Sequence, residues 1–243
     1  YLEKGVFMQK YSLRWRIILP IGIIIILGIV AIVSIISVNY THTAGSMAVE
    51  NIKAISSDYG NKIQAKLEAS FGCVKTFNAV LEFVASTDEA DRDQFIEIME
   101  RILRENKTMF GIWTVFEPDA FDGRDRDFVD SPLHDATGRF IPHVYAEGGG
   151  KIGKTRLEGY DTPGDGDYYL IAKNSGRAAI TKPFYYQVGN DSLFVTSVAE
   201  PVEVNGKVIG VAGGDVLGDP INEYVSTSKT LEPGYAMLVD QDG

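Results

Sequence analysis

The chain has 243 residues, of which 45% are hydrophobic and 23% charged, a balance that fits one globular domain plus additional segments and exceeds an isolated anchor or peptide. Its formal net charge of -10 excludes an ordinary nucleic-acid binder, because phosphate contacts need a Lys/Arg surface. Cys73 is the single cysteine, which rules out an intramolecular disulfide framework and any cysteine-rich zinc site. Residues 1–16 hold Lys4, Lys10, Arg14 and Arg16 against Glu3 alone, so the remainder is more acidic still. A start at Tyr1 and a stop in the turn signal Asp240-Gln-Asp-Gly243 read as a fragment.

From Ile17 to Val38 the sequence carries no charge, and at the helical rise these roughly 22 residues span about 33 Å. That length matches a bilayer hydrocarbon core of about 30 Å. Pro20 is placed in the first turn of the segment, where a missing N–H costs least. Trp15 and Tyr40 flank it as interfacial aromatics do, and the basic residues before Trp15 are expected to stay in the cytoplasm, with residues 41–243 outside. The competing reading is a cleaved signal peptide ending near Thr43-Ala44-Gly45-Ser46, for which this apolar run is too long.

Beyond Tyr40 the pattern predicts helix to about Ala85, with Val49, Ile52, Ser56, Tyr59, Ile63, Leu67, Ser70, Val74, Phe77, Leu81 and Val84 at spacings of three and four. Such a stalk could pair with its twin in a homodimer or pack on its own domain. A second helix is predicted over Asp91 to Asn106, led in by the cap-like Ser86-Thr87-Asp88 and striped by Phe95, Ile98, Met99, Ile102 and Leu103.

After Lys107 the texture becomes strand-like: Met109–Phe116, Arg139–Tyr145, Ala179–Gln187, Ser192–Pro201 and Lys207–Val216 alternate with Gly- and Asp-containing turns. Asn205-Gly206 between β-branched runs is a hairpin signal. About five antiparallel strands flanked by helices give an α+β fold of PAS type.

Four segments then fall in order: Asp167-Tyr-Tyr-Leu-Ile-Ala-Lys-Asn-Ser-Gly-Arg177, Ile180-Thr-Lys-Pro-Phe-Tyr-Tyr186, Val195-Thr-Ser-Val-Ala-Glu-Pro-Val202 and Gly206-Lys-Val-Ile-Gly-Val-Ala-Gly-Gly-Asp215. Together they resemble the double Cache sensor region of bacterial methyl-accepting chemotaxis proteins. The resemblance implies a cytoplasmic N-terminus (1–16), a transmembrane helix (17–38), a long stalk helix (39–85), a membrane-distal PAS-like Cache module (86–220) and the start of a membrane-proximal module (221–243). It implies a small extracytoplasmic ligand and an inner-membrane location. Cytoplasmic signalling partners would be engaged by a C-terminal part outside this sequence.

The same resemblance nominates the ligand residues. Tyr168 and Tyr169 match an aromatic pair, and Asp215 matches the acid that ends the Gly-Gly-Asp segment. Aromatic faces and a carboxylate suit a small molecule carrying apolar surface and a cation. Trp113, Tyr145, Tyr185 and Tyr186 are further lining candidates, each of which could equally be core packing on an alternating strand. Amino-acid-binding members carry Arg where this chain has Gly166, and an acid where it has Tyr186, so a typical α-amino acid is not expected. Asp165 and Asp167 near the aromatics tilt the expectation toward a cationic or uncharged ligand.

Gly148-Gly-Gly-Lys-Ile-Gly-Lys-Thr155 satisfies a phosphate-binding loop pattern, but the next residues, Arg156 to Gly166, hold Gly159, Pro163 and Gly164 and cannot open the helix that such a loop needs. The acidic runs Asp122, Asp125, Asp127 and Asp161, Asp165, Asp167 lack the closing Glu of a calcium loop. His42, His134 and His143 are scattered, with no catalytic spacing around them, so no enzyme, metal or cofactor is expected. A chemoreceptor is therefore the first expectation. A sensor histidine kinase or diguanylate cyclase with the same input domain, or a secreted small-molecule-binding protein, are the alternatives.

Overall fold

The computed structural model describes residues 13–87, 90–188 and 191–218. The chain divides into two units, residues 1–57 and 58–243. Helix α1, Leu13–Ala85, begins in the first unit. Its side chains between Ile17 and Val38 are exposed hydrophobics, including Ile24, Leu27, Ile32 and Val38, and the helix is long and apolar enough to cross a membrane. Because the helix already runs from Leu13, Pro20 sits in its interior and not in a first turn. One intrahelical hydrogen bond is lost there, a defect that membrane helices tolerate.

In the second unit α1 changes character. Val49 and Ile52, in the first unit, are exposed, whereas Ser70, Val74, Phe77 and Leu81 are buried. Helix α2, Arg92–Glu105, is capped at Asp91, whose carboxylate accepts from the Gln94 N–H at 3.0 Å. The cap is therefore Asp91 and not the Ser86–Asp88 segment, and such a cap stabilises by roughly 1 kcal/mol. Its buried stripe runs through Phe95, Ile96, Met99 and Leu103. Ile98, expected inside, is exposed because it lies one position round the helix from the buried face.

Among the described residues there are seven antiparallel strands: β1 Gly111–Phe116, β2 Pro142–Gly148, β3 Lys151–Arg156, β4 Ala179–Ile180, β5 Phe184–Val188, β6 Asp191–Val204 and β7 Lys207–Leu217. They form one sheet in the order β3-β2-β1-β7-β6-β4, with β5 also pairing with β6. The two strands beyond the expected five have simple causes. The phosphate-loop look-alike is the β2–β3 hairpin, with Gly149 and Gly150 at φ +60° and +82° between the strands. The expected run Ala179–Gln187 is split into β4 and β5, and Pro183, which has no N–H for the ladder, lies in the break. Asn205 and Gly206, at φ +54° and +75°, turn β6 into β7, the geometry that favours Asn-Gly in two-residue hairpins.

The sheet buries both faces. On one, Val74, Phe77 and Leu81 of α1 and Phe95, Met99 and Leu103 of α2 pack on Ile112, Phe116, Val144, Val198 and Ala212. Each large apolar side chain fully buried there contributes about 1.5–3 kcal/mol. On the other, a third helix, α3 (Asp167–Ser175), and Leu157 cover Trp113, Val115, Ile141, Ala199 and Val211. Period-two alternation along β1 thus sends Ile112 to the α1 side and Trp113 to the α3 side.

Candidate functional site at the centre of the sheet

The strand register assembles the site. Gly111 of β1 and Ser197 of β6 both lie opposite Asp215 of β7, Trp113 lies opposite Gly213, and His143 of β2 lies opposite Trp113. These positions share the α3 side of the sheet. Gly213 is required by the indole, since a Cβ there would collide with the Trp113 ring. Gly111 makes the same allowance for the His143 imidazole.

Asp215 is 5% exposed. Its Oδ1 accepts from Trp113 Nε1 at 3.0 Å and from Ser197 Oγ at 2.6 Å. Its Oδ2 lies 3.1 Å from His143 Nε2, but that nitrogen is not aligned for a hydrogen bond and has none. On the far side of the imidazole, Nδ1 is 3.1 Å from the Tyr186 hydroxyl. His143 is fully buried, so a continuous polar line Tyr186–His143–Asp215 runs through the middle of an apolar layer. Burial, followed by the nearby Asp215, Tyr145 and Glu158 charges, pushes the Tyr186 phenol well above its ordinary value, so it stays a neutral hydroxyl.

The aromatic candidates separate into distinct places. Tyr168 stands edge-on to Trp113 with ring centroids 5.1 Å apart, and its hydroxyl donates to the Glu158 carbonyl at 2.9 Å. Tyr169, the next residue on α3, is turned away by about 100° of helix. Its hydroxyl donates to Glu117, which also takes Lys173 at 2.7 Å, and Arg139 lies 3.6 Å from that carboxylate. Tyr145 is half-buried beside His143, ring centroids 5.4 Å apart. Tyr185 alternates to the other side of β5, is 73% exposed and lies 5.2 Å from the Phe194 ring, centroid to centroid, at a tilt of 48°. The structure thus brings together Asp215, Trp113, Tyr168, Tyr186 and Tyr145, and leaves Tyr169 and Tyr185 outside that group.

The acids of the loop before α3 do not join it. Asp165 is exposed, Asp167 accepts from the Gly164 N–H at its own helix start, and Asp161 pairs with Arg139 at 3.1 Å. Asp122 and Asp125 hold Arg92 at 2.5 and 2.6 Å. Gly166 is more than a missing arginine: a Cβ there would strike the Tyr160 carbonyl, so no side chain can project from this point. The guanidinium nearby, that of Arg139, is spent on the Phe116 carbonyl, Asp161 and Tyr169.

Two site residues, Ser197 and His143, are not singled out by the sequence pattern. His143 precedes Tyr145 by two positions in a predicted strand, and that spacing is the available signal for a shared face.

A family model described as methyl-accepting chemotaxis protein-like, first PDC sensor domain, matches residues 95–223. The chain is similar to the methyl-accepting chemotaxis protein TlpQ of Pseudomonas aeruginosa, 34% identical over 136 residues that cover 51% of this chain and 19% of the relative. It is also similar to McpA of Pseudomonas putida, 34% identical over 49% of this chain and 17% of the relative. It therefore spans about a fifth of the length of the curated relatives it matches. Among solved structures, the extracellular domain of mmHK1S-Z3, described as a histidine kinase, aligns at TM-score 0.66 and 32% identity, over 78% of this chain and 66% of that one. The ligand-binding domain of the Pseudomonas aeruginosa amino acid chemoreceptor PctC, in complex with GABA, shares the fold at TM-score 0.52 and 20% identity, over 79% of this chain and 71% of that one. With half of its length matched, this chain belongs to the methyl-accepting chemotaxis protein-like family, of which it carries the first PDC sensor domain.

Proposed function

We propose that the chain is the input end of a transmembrane chemoreceptor whose small-molecule ligand binds on the α3 side of the sheet, against Asp215. The observation that carries this reading is a buried carboxylate whose Oδ1 is held by Trp113 and Ser197, while its Oδ2 faces a His143 Nε2 that has no hydrogen bond, 3.1 Å away. Trp113, Tyr168 and Tyr186 supply apolar walls and one hydroxyl, while Tyr145 flanks His143. The ligand presents an N–H donor and apolar surface, and it is not a typical α-amino acid, since Gly166 leaves no place for a carboxylate-gripping arginine. Residues 17–38 cross the inner membrane with the N-terminus in the cytoplasm, the orientation favoured by Lys4, Lys10, Arg14 and Arg16. Residues 86–220 form the sensor module; 221–243, expected from the sequence to open the next one, lie outside the described residues.

Binding is transmitted because the two faces of the sheet are one residue apart. Asp215 faces the ligand side, and Gly214 before it faces Val74 of α1. A ligand that draws β7 toward Asp215 also moves the surface on which α1 packs. Val49 and Ile52, exposed in the single chain, are the surface through which α1 pairs with its twin in a homodimer. The similarity to mmHK1S-Z3 supports a second reading, in which the same input drives a kinase; the residues after Gly243 distinguish the two.

The test is a thermal-shift screen of the full-length receptor in nanodiscs against primary amines, guanidines, organic acids, purines and L-amino acids. At least one N–H-donating compound should raise the melting temperature of the wild type and leave Asp215→Ala unmoved. Equal shifts in both proteins would remove Asp215 from the site.

A further inference from the structure

Packing does not explain the state of one buried imidazole. His143 is fully buried, its Nδ1 is matched to Tyr186, and its Nε2 has no hydrogen bond although a carboxylate oxygen lies 3.1 Å away. An unmatched buried polar atom costs on the order of its desolvation energy, and buried groups of this kind persist where something else uses them. The surrounding groups are Asp215 from β7, Tyr186 from β5 and Tyr145 from its own strand; β1 adds Trp113, the residue before β1 adds Phe110, and β3 adds Thr155, its register partner. Tyr168 of α3 lies beyond Trp113, and the Glu158 charge acts on Tyr186. Among these groups the carboxylate beside the imidazole is that of Asp215.

We propose that His143 is a specificity-determining residue of the Asp215 site: its neutral Nε2 and Asp215 Oδ2 are paired acceptors for one cationic N–H group of the ligand. This rests on the reading of Asp215 as the ligand carboxylate. The chemistry of imidazole has two consequences here. With Nε2 as acceptor, the ring proton sits on Nδ1 and is donated to the Tyr186 hydroxyl oxygen, which fixes the tautomer. A proton on Nε2 and the ligand cation then compete for one place. The imidazolium pairs with Asp215 and repels the cation, so protonation of His143 opposes binding. For a ligand that stays cationic throughout, affinity falls on the order of tenfold per pH unit below the His143 midpoint and is flat above it.

The experiment uses full-length receptor in nanodiscs, with a probe panel of n-butylammonium, guanidinium, imidazolium, tetramethylammonium and butan-1-ol. Wild type should bind at least one N–H cation, with the tenfold-per-unit dependence, and should bind tetramethylammonium and butan-1-ol at least tenfold more weakly. His143→Gln, which keeps an acceptor but cannot take the proton, should bind the same cation with no pH dependence. If no panel member binds wild type, the Asp215 reading fails and this inference with it. If cations bind and the pH slope is unchanged in His143→Gln, His143 has no such role while the Asp215 reading stands. Tetramethylammonium binding as tightly as the N–H cations would overturn the paired-acceptor geometry alone. Should His143→Gln fail to fold, NMR of wild type with isotope-labelled histidine decides: the bound cation must lower the His143 midpoint and leave the proton on Nδ1, and an unmoved midpoint overturns the proposal.

Discussion

Gly214 and Val74 meet where α1 crosses β7, one residue from Asp215: a Cβ at Gly214 would lie 3.1 Å from Val74 Cγ2 and would overlap the end of the Met109 side chain. The α3 side and the α1 side of the sheet are thereby joined through a single strand with no side chain between them. Gly214→Ala should destabilise the sensor by about 1–3 kcal/mol, the ordinary penalty for overpacking a core. Met109→Ala, which empties the place the new methyl would take, should recover part of that loss. Chemical denaturation of the two single variants and the double variant measures the coupling, and strict additivity would mean that Met109 is not the group displaced.

The indole of Trp113 serves the same strand from the other side. Trp113→Phe removes the N–H given to the Asp215 carboxylate, leaving Oδ1 with Ser197 alone. A hydrogen bond to a charged acceptor contributes about 1.5–3 kcal/mol, so a loss of that order is expected at neutral pH in urea unfolding. Ser197→Ala should cost a similar amount by the same route. The double variant should lose more than the sum, because the buried carboxylate is then left with no donor.

These positions show which parts of the molecule are legible in its sequence. The apolar run at Ile17–Val38, the stalk stripe through Val74, Phe77 and Leu81, and the hairpin at Asn205-Gly206 rest on periodicity and local turn chemistry, both of which are written in the order of the residues. Strand β3 is not legible because Lys151, Lys154 and Arg156 make it an edge strand whose outward charges mask its alternation. Helix α3 is not legible as a helix because it is nine residues long and opens on Asp-Tyr-Tyr between two glycines. For the site, Asp215, Tyr168 and Tyr169 come from likeness to a family. The separation of the two tyrosines, and the placing of His143 beside Asp215, depend on which strands become neighbours, and nothing local to these residues encodes that.

Tyr168 and Tyr169 are adjacent on α3 yet answer to different partners, and substitutions should separate them. Tyr168→Ala removes the ring edge-on to Trp113 and should abolish or weaken by at least tenfold any ligand-induced rise in melting temperature. Tyr169→Phe keeps its buried ring and loses the hydroxyl bound to Glu117. It should lower the melting temperature of the ligand-free protein, consistent with a hydrogen bond of about 1–2 kcal/mol, and leave the ligand-induced increment unchanged. A loss of increment in Tyr169→Phe would show that the Glu117–Lys173–Arg139 cluster shapes the ligand site.

Acid stability turns on the buried Arg92. Its guanidinium donates to Asp122 at 2.8 and 2.5 Å, to Asp125 at 2.6 Å and to the Gly138 carbonyl at 2.7 Å, and it stacks on Phe128 at 4.2 Å. Burial alone would raise the Asp122 carboxyl, but hydrogen bonds from Arg92 and the Arg124 N–H outweigh it and hold the group below the ordinary carboxylate value. Glu117 and Asp135 are lowered as well: burial pushes each up, and Lys173 and Tyr169 on the first, Tyr160 and Thr137 on the second, more than reverse it. A carboxyl lowered in the folded state adds stability that is present above its unfolded value, near about 3.9–4.3, and is lost as pH falls through the folded value. Wild type should therefore weaken progressively below about pH 4. Arg92→Met leaves Asp122 and Asp125 buried without their cation, which costs about 3–5 kcal/mol at neutral pH. With the Arg92 hydrogen bonds gone, burial raises the Asp122 carboxyl relative to wild type against Arg124 alone, so its share of the acid-labile stability shrinks and the variant loses less stability than wild type as pH falls from about 7 to about 4. Urea unfolding of both proteins across that range is the measurement, and parallel pH profiles would mean that Arg92 does not govern these acids.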